Sequence, residues 1–228
     1  MTEFAVSPPP VPSVPVLGRT ARFPVRRILC VGRNYAAHAR EMGGDPTREA
    51  PFFFSKPADA IVPGGGRVAY PSATADLHHE VELVVALRAG GADLDAEAAR
   101  AAIFGWAVGV DLTRRDLQAA AKKDGRPWDA AKGFDQSAPI GPITPVEALA
   151  APAGAITLAV GGRTRQSSDL ADMIWSPVEI VMQASRLWTL GAGDLIFTGT
   201  PEGVAALSRG DRVEASVEGL APLAFEVV

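Results

Sequence analysis

Apolar and polar residues alternate over many short stretches of this chain, which is the pattern of strands with one buried face. The 23 glycines and 19 prolines add frequent turn signals and leave room for few long helices. The pattern therefore predicts a β-rich fold. We predict strands at residues 26–32, 51–56, 58–64, 79–89, 105–113, 155–162, 194–200, 211–219 and 223–228.

Amphipathic helices are predicted at four segments, residues 34–44, 94–105, 115–123 and 176–190. The last has its own start signal, with Ser176 as N-cap, Pro177 at the first helical position and Glu179 completing a capping box. We expect this helix to end at Gly191, where a C-cap glycine belongs.

Composition and charge narrow the class of protein. The chain is 47% hydrophobic and 21% charged, as expected for a globular protein with a substantial core. A net charge of −4 argues against a basic nucleic-acid surface, and no apolar run approaches the roughly 20 residues of a membrane helix. Without the features of a signal peptide, we expect a cytoplasmic protein with no nucleic-acid or membrane partner. The single cysteine, Cys30, permits no internal disulfide and is expected to be buried.

The N-terminus is rich in proline, with five prolines in residues 7–16. We interpret residues 1–16 as an extended arm and expect folding to begin at residue 17. No repeat or second composition block follows, so residues 17–228 are predicted to form a single domain. The GGGR stretch at residues 64–67 lacks the pattern of a phosphate-binding loop and is interpreted as a hairpin.

An acidic cluster gives the strongest chemical signal. Glu80 and Glu82 lie two apart on a predicted strand and therefore share a face. A solvated strand face is the ordinary explanation, but Asp111 ends an apolar strand, where a carboxylate needs a partner. A divalent cation held by these three residues would satisfy them all, and oxygen ligands favour Mg²⁺, Mn²⁺ or Ca²⁺ over Zn²⁺. His78 shares the face, but nothing makes it a ligand.

A second signal is the pair His38 and Glu41, three residues apart on a predicted helix. This spacing allows a carboxylate to orient an imidazole, which is the arrangement of a general base. A surface ion pair is the alternative.

Further polar residues follow Asp111. Arg115 and Gln118 are three apart on a predicted helix and can both face the acidic cluster. Lys132 stands among small residues, where a buried cation could stabilise an anion, whereas Lys122 and Lys123 are expected to be solvated. The turn at residues 198–203 offers backbone N–H groups and a hydroxyl to a carboxylate, although by itself it is only a turn.

Taken in order, these segments resemble the fumarylacetoacetate hydrolase family from about residue 23 to the end. Within the family, the similarity is to the short, single-domain branch that hydrolyses fumarylpyruvate and other acylpyruvates. The resemblance implies a catalytic domain over residues 17–228 with an α+β fold, a roll of mixed β-strands with peripheral helices, in a homodimer. The segments that carry it are CVGRNYAAHAREMG (30–43), PFFFSKPADAIV (51–62), HHEVEL (78–83), DLTRRDLQ (111–118), RPWDAAKGFDQSAPIGP (126–142) and GDLIFTGTPEGV (193–204).

The resemblance also implies roles for particular residues. Mg²⁺ or a similar ion would be held by the ligands matching Glu80, Glu82 and Asp111. The residues matching His38 and Glu41 would form a dyad on a lid that activates water, with Lys132 as a further catalytic residue. The remaining matched positions would bind substrate, namely Arg33, Arg115, Gln118 and Thr200.

The expected reaction is metal-dependent hydrolysis of a carbon–carbon bond in a 2,4-diketo acid, with fumarylpyruvate giving fumarate and pyruvate. Two alternatives use the same enolate chemistry, an acylpyruvate hydrolase with oxaloacetate decarboxylase activity and a dienoate isomerase or decarboxylase. A third alternative is a protein that is not an enzyme, in which the acidic cluster binds a structural cation. This hypothesis would give no role to His38, Glu41 and Lys132.

Overall fold

The computed structural model describes residues 4–37 and 49–228. Its helices are α1 (Ala96–Ala102), α2 (Arg115–Asp124), α3 (Asp129–Lys132) and α4 (Pro177–Leu187), with 3₁₀ turns at Ala58–Ala60 and Leu170–Asp172. Its strands are β1 (Ser13–Pro15), β2 (Arg22–Pro24), β3 (Arg27–Gly32), β4 (Phe52–Lys56), β5 (Ile61–Pro63), β6 (Gly66–Val68), β7 (Leu77–His78), β8 (Val81–Leu87), β9 (Ile103–Val110), β10 (Thr113–Arg114), β11 (Ala138–Ile140), β12 (Thr144–Pro145), β13 (Ala155–Val160), β14 (Arg163–Asp169), β15 (Asp194–Phe197), β16 (Arg212–Val217) and β17 (Leu223–Val227).

The strands form two main sheets. The larger has eight strands in the order β4-β3-β15-β8-β9-β11-β5, with β12 also paired to β9. It is mixed, because β3 pairs with β15 and β5 with β11 in parallel while the other neighbours are antiparallel. The smaller sheet has the order β14-β13-β16-β17-β6. The α+β architecture of mixed strands predicted from the sequence is confirmed. No helix in the described part of the chain has the length and apolar character needed to cross a membrane.

The central strand β8 is buried on both faces, which explains its nearly unbroken apolar sequence VELVVAL. Leu83 and Val85 pack on one side in a cluster that includes the smaller sheet and α4. Val84 and Ala86 pack on the other side with residues of β3, β15 and the N-terminal segment. Glu82 has the same parity as Val84, so its carboxylate lies on this second face of the sheet.

The register of the large sheet brings three strand ends together. In the antiparallel pair of β8 and β9, Val81 lies opposite Val110. The Asp111 N–H then donates to the carbonyl of Glu80 at 2.8 Å, which ties the end of β9 to the start of β8. On the other side of β8, β15 ends at Phe197, opposite Val84. Side chains just beyond these ends therefore meet at one edge of the sheet.

Folded structure begins earlier than residue 17. Ser13–Pro15 form β1 and pair with β2, and Val14 and Val16 are buried in the second hydrophobic cluster. Val14 and Val16 alternate with proline and form a buried face. The high proline content of the segment concealed this apolar pattern in the sequence. The division into an arm over residues 1–16 and one domain over 17–228 otherwise stays a prediction.

Two predicted helix ends are wrong. The helix expected at 94–105 ends at Ala102, because Ile103 already pairs with Leu87 in the sheet. The helix expected at 176–190 has the predicted capping box of Ser176 and Glu179 but ends at Leu187. Gly191 is not its cap, since the Gly191 N–H instead donates to the Asp194 carboxylate at 2.9 Å.

Two further differences involve strands. The GGGR stretch is not a hairpin, because β5 before it pairs with β11 in the large sheet while β6 pairs with β17 in the small one. Strand β14, with the sequence RTRQSSD, was not predicted because it has no apolar alternation and only Gln166 is fully buried.

Candidate active site

Three carboxylates converge where the strand ends meet. Asp111 is completely buried, and Glu82 and Glu80 are only 1% and 5% exposed. One oxygen from each lies within 4.8 Å of the others. The alternative of a solvated strand face is therefore excluded, and the structure brings together all three residues expected to form a metal site.

Two lysines neutralise part of this cluster. Lys132, on α3, donates to Glu80 Oε2 and Asp111 Oδ2, both at 2.7 Å, and to Thr113 Oγ1 at 2.6 Å. Lys56, at the end of β4, forms an ion pair with the other Asp111 oxygen at 2.8 Å. Asp111 is thus held between two buried ammonium groups.

Lys56 was missed by the sequence analysis, although a signal was present. It is the last residue of the aromatic strand FFFSK, just as Asp111 follows an apolar strand. A charged residue in such a position is costly to bury without a partner. The lysine also donates to the carbonyls of Leu112 and Lys132, which fixes α3 against β4.

Burial and neighbouring charge set the protonation of the cluster. Burial raises the pKa of Glu82 well above its usual value, and the carboxylates of Asp111 and Glu80 raise it further. Burial would lower the pKa of Lys132, but the attraction of Asp111 and Glu80 outweighs it, so that pKa is raised. Lys132 is therefore a stable cation at neutral pH.

The residues fit a divalent cation. Among the described residues, Glu82 accepts a hydrogen bond from the Gly199 N–H at 2.7 Å but forms no ion pair. A buried carboxylate of this kind needs a cation to offset its desolvation. The ligand set is entirely carboxylate, since His78 bonds Asp76 and His79 bonds Gln166. Hard cations such as Mg²⁺, Mn²⁺ and Ca²⁺ prefer these oxygen ligands.

The predicted pair Arg115 and Gln118 faces the cluster from the first turn of α2. Arg115 donates to Glu80 Oε1 at 2.5 Å and to Gln118 Oε1 at 2.6 Å. The Gln118 NH₂ group has no hydrogen-bond partner among the described residues, so it can donate into the pocket that both residues line.

The turn after β15 receives a carboxylate as expected, but it is the protein's own Glu82. Gly199 adopts a φ of +95°, and a Cβ there would lie 2.7 Å from the Cβ of Asn34. Only glycine fits this conformation and this close approach. Asn34 is held in turn by hydrogen bonds to Thr198 and Trp175. Thr200 follows, and its side chain lines the pocket.

The pocket above the carboxylates has an aromatic and basic rim. Phe52, Phe54 and Trp128 line it together with Arg33 and Lys122. The Arg33 guanidinium lies 5.9 Å from the Phe52 ring centre and the Lys122 ammonium 5.1 Å from that of Trp128. Lys122 is exposed, as predicted for a solvated lysine, yet it also forms part of the pocket wall.

Two of the predicted catalytic residues, His38 and Glu41, lie outside the described residues. The segment leading to them enters the site, because Arg33 lines the pocket and Asn34 contacts the turn after β15. Helical backbone begins at Ala36, so Asn34 and Tyr35 lie before it, in contrast to the predicted helix start at residue 34. Cys30 is buried as expected, and burial together with the Asp111 carboxylate raises the pKa of its thiol, which favours the uncharged form.

The fumarylacetoacetate (FAA) hydrolase C-terminal family matches residues 27–228. A fumarylpyruvate hydrolase from Ralstonia sp is 41% identical over 183 residues, which cover 80% of this chain and 95% of that protein. The mitochondrial oxaloacetate tautomerase FAHD1 of Rattus norvegicus is also 41% identical, over 89% of this chain and 91% of that protein. The sequence similarity thus includes relatives named for two different reactions.

A solved structure agrees closely with this one. The fumarylpyruvate hydrolase of Pseudomonas aeruginosa in complex with Mn²⁺ and pyruvate is 50% identical, with a TM-score of 0.97 and coverage of 99% of both chains.

Proposed function

Because this chain belongs to the fumarylacetoacetate hydrolase family, we propose that it is a hydrolase acting on carbon–carbon bonds in ketonic substances, with fumarylpyruvate as its leading substrate. The products would be fumarate and pyruvate. The observation that carries the proposal is the buried cluster of Glu80, Glu82 and Asp111, with Lys132 beside it on the floor of a pocket. The solved relative that binds Mn²⁺ and pyruvate supports it.

Glu80, Glu82 and Asp111 would hold the metal, for which we propose Mg²⁺, with Mn²⁺ or Ca²⁺ as alternatives. When bound, the ion supplies a Lewis acid that polarises the keto-acid oxygens of the substrate. Because the Lys132 ammonium donates to both Glu80 and Asp111, these carboxylates would hold the metal ion and the ammonium side by side. Lys132 lines the pocket and therefore lies close to where the substrate would bind.

The substrate-binding residues divide by chemistry. Gln118 and Thr200 offer an amide and a hydroxyl to the keto-acid end, while Arg115 stays paired to Glu80 and keeps that carboxylate in place.

We propose that His38, oriented by Glu41, removes a proton from water as the water attacks the C4 carbonyl. The C3–C4 bond then breaks, and its electron pair forms the enolate of pyruvate, which takes up a proton at C3. Lys132 stabilises the enolate charge.

Tautomerisation of oxaloacetate is a second candidate, favoured by the relatives named for it. It needs stabilisation of an enolate but no attacking water, as would decarboxylation of oxaloacetate or isomerisation of a dienoate. The homodimer and the cytoplasmic location expected from the sequence stay predictions.

A spectrophotometric panel tests the proposal. Purified protein with added Mg²⁺ or Mn²⁺ is assayed on fumarylpyruvate, acetylpyruvate and oxaloacetate. We expect the highest kcat/KM on fumarylpyruvate, with stoichiometric release of fumarate and pyruvate. Enolisation of oxaloacetate without cleavage of either diketo acid would contradict the proposal and indicate an oxaloacetate tautomerase instead.

Recognition of the carboxylate at the fumaryl end of the substrate is expected to depend on the basic residues of the pocket rim. Among the described charged residues around the pocket, five cations face three carboxylates, namely Arg33, Lys56, Arg115, Lys122 and Lys132 against Glu80, Glu82 and Asp111. This surplus suits a dianion such as fumarylpyruvate. A lost charge-assisted hydrogen bond costs roughly 1.5 to 3 kcal/mol. Arg33→Met should therefore lower kcat/KM for fumarylpyruvate about 10- to 100-fold and spare acetylpyruvate.

Lys122 provides a comparison on the same rim. Because its ammonium is exposed, Lys122→Met is expected to cost a smaller factor, about three- to tenfold, with the same selectivity for fumarylpyruvate. The neighbouring Lys123 is exposed and does not line the pocket, so Lys123→Met is the matched control. Equal losses on both substrates would assign Arg33 to the pyruvate end instead.

A further inference from the structure

Gln166 is a fully buried amide on β14, a strand whose other side chains are mostly exposed. Its side chain reaches across from the small sheet to the strand that carries the carboxylates and to the turn that carries Thr200. We infer that Gln166 is a positioning residue that fixes the Thr200 hydroxyl as a hydrogen-bond donor toward the substrate. This inference rests on the proposed function, because it assigns Thr200 to a bound keto acid.

The orientation of the amide follows from its backbone partners. Gln166 Oε1 lies 3.0 Å from the N–H of Val81, which can only donate, so this atom must be the oxygen. Gln166 Nε2 lies 2.9 Å from the carbonyl of Pro201, which can only accept, so this atom must be the nitrogen. The two contacts independently exclude the flipped amide.

The amide orientation then sets the direction of the Thr200 hydrogen bond. Gln166 Nε2 lies 2.8 Å from Thr200 Oγ1 and must donate to it. The hydroxyl oxygen therefore accepts, and its own hydrogen is left for another partner. No other hydrogen bond to this hydroxyl occurs among the described residues, and Thr200 lines the pocket. The group it faces in the bound substrate must consequently be an acceptor, a carboxylate or keto oxygen.

The same amide couples this donor to the carboxylate strand. Val81, which donates to Gln166, lies between Glu80 and Glu82 in the sequence. His79 Nδ1 is 2.9 Å from the same amide oxygen and must carry a proton to bond it. One buried side chain therefore holds Thr200 at a fixed position relative to the residues proposed to bind the metal.

Replacement of Gln166 by glutamate removes the Nε2 donor, because an ionised carboxylate can only accept from Thr200 and no longer bonds the Pro201 carbonyl. A carboxylate at residue 166 would accept from the Thr200 hydroxyl, which would then turn its lone pairs toward the substrate. In the Mn²⁺-loaded protein, we expect Gln166→Glu to weaken pyruvate binding, measured by calorimetry, about 10- to 100-fold, the range for a lost hydrogen bond to a charged group. The diketo-acid assay should show this mainly in KM.

A double-mutant cycle with Thr200→Val separates positioning from general damage. In the Thr200→Val background, Gln166→Glu should cost less than about threefold, since the hydroxyl it acts through is gone. An equal loss in both backgrounds would overturn the inference. Gln183→Glu, the same change on the outer part of α4, is the control for added charge.

Two further results keep the inference testable if Gln166→Glu does not fold. Thr200→Val should itself weaken pyruvate binding about 10- to 100-fold, and Thr200→Ser should recover most of that loss. Pyruvate binding by Thr200→Val as tight as by the parent would overturn the inference. Failure of the proposed function looks different, because the parent protein would then cleave no diketo acid, whatever its affinity for pyruvate.

Discussion

Glu82→Gln is expected to reduce diketo-acid hydrolysis by about a thousandfold or more and to leave the protein folded. The polarisation supplied by a bound metal is worth several kcal/mol, and each 1.36 kcal/mol corresponds to a factor of ten in rate. Glu82 is buried with one backbone hydrogen bond and no ion pair among the described residues, so a neutral amide fits there without leaving a cation unpaired. Glu80→Gln and Asp111→Asn should be equally inactive but less stable, because they leave Lys132, and for Asp111 also Lys56, with fewer partners.

Thermal unfolding gives a readout that does not depend on turnover. A ligand that binds only the folded protein raises Tm with its concentration, so Mg²⁺ or Mn²⁺ should stabilise the parent and not Glu82→Gln. Chelator treatment should abolish parent activity, and added metal should restore it. Glu226→Gln, an exposed position on β17, controls for the chemical change. Full activity of chelator-treated protein would refute the metal site.

His38→Ala is expected to lower hydrolysis of fumarylpyruvate by about 10² to 10⁴-fold, the range for a lost general base. Only the steps that involve attacking water should suffer. Pyruvate binding and the metal-induced rise in Tm should remain nearly unchanged, since the proposed metal and keto-acid groups lie on other elements. Glu41→Gln should show a smaller loss of the same kind, because it removes only the orientation of the imidazole.

The same variant separates the two candidate functions. Enolisation of oxaloacetate requires no attacking water, so a tautomerase should keep most of that activity in His38→Ala. Hydrolysis within a few fold of the parent would show that another group activates water.

Sequence reasoning predicted six of the eight strands of the large sheet, because their apolar runs are bounded by glycine or proline, but it missed the short strands β11 and β12. It failed where tertiary contacts override the local pattern. Ile103 continues a helical pattern but joins β9, since its pairing with Leu87 extends a buried sheet. Strand β14 has a polar sequence because it lies at the edge of the small sheet, and only its Gln166 faces inward.

The sequence predicted which carboxylates form the candidate site but not the hydrogen bonds and ion pairs that connect them to other strands. The strand parity of Glu80 and Glu82 anticipates their shared face, and the apolar surroundings of Asp111 anticipate its burial. The roles of Lys56 and Gln166 depend on which strands become neighbours, which no local pattern contains. Lys56 reaches Asp111 from β4, and Gln166 reaches Thr200 from the other sheet.

The floor and the rim of the pocket are formed by different parts of the fold, and this difference affects how substrate preference can change among related enzymes. Glu80, Glu82 and Asp111 stand at adjoining strand ends of one sheet, where any shift would disturb the core on both faces. Arg33, Lys122 and Trp128 come from a loop and helical segments at the surface, where exchanges are tolerated. Under the proposed function, the substrate could change through the rim while the carboxylates of the floor are kept, and relatives named for two different reactions are both 41% identical to this chain. Substitutions intended to change the substrate preference should therefore be confined to the rim residues Arg33, Lys122 and Trp128.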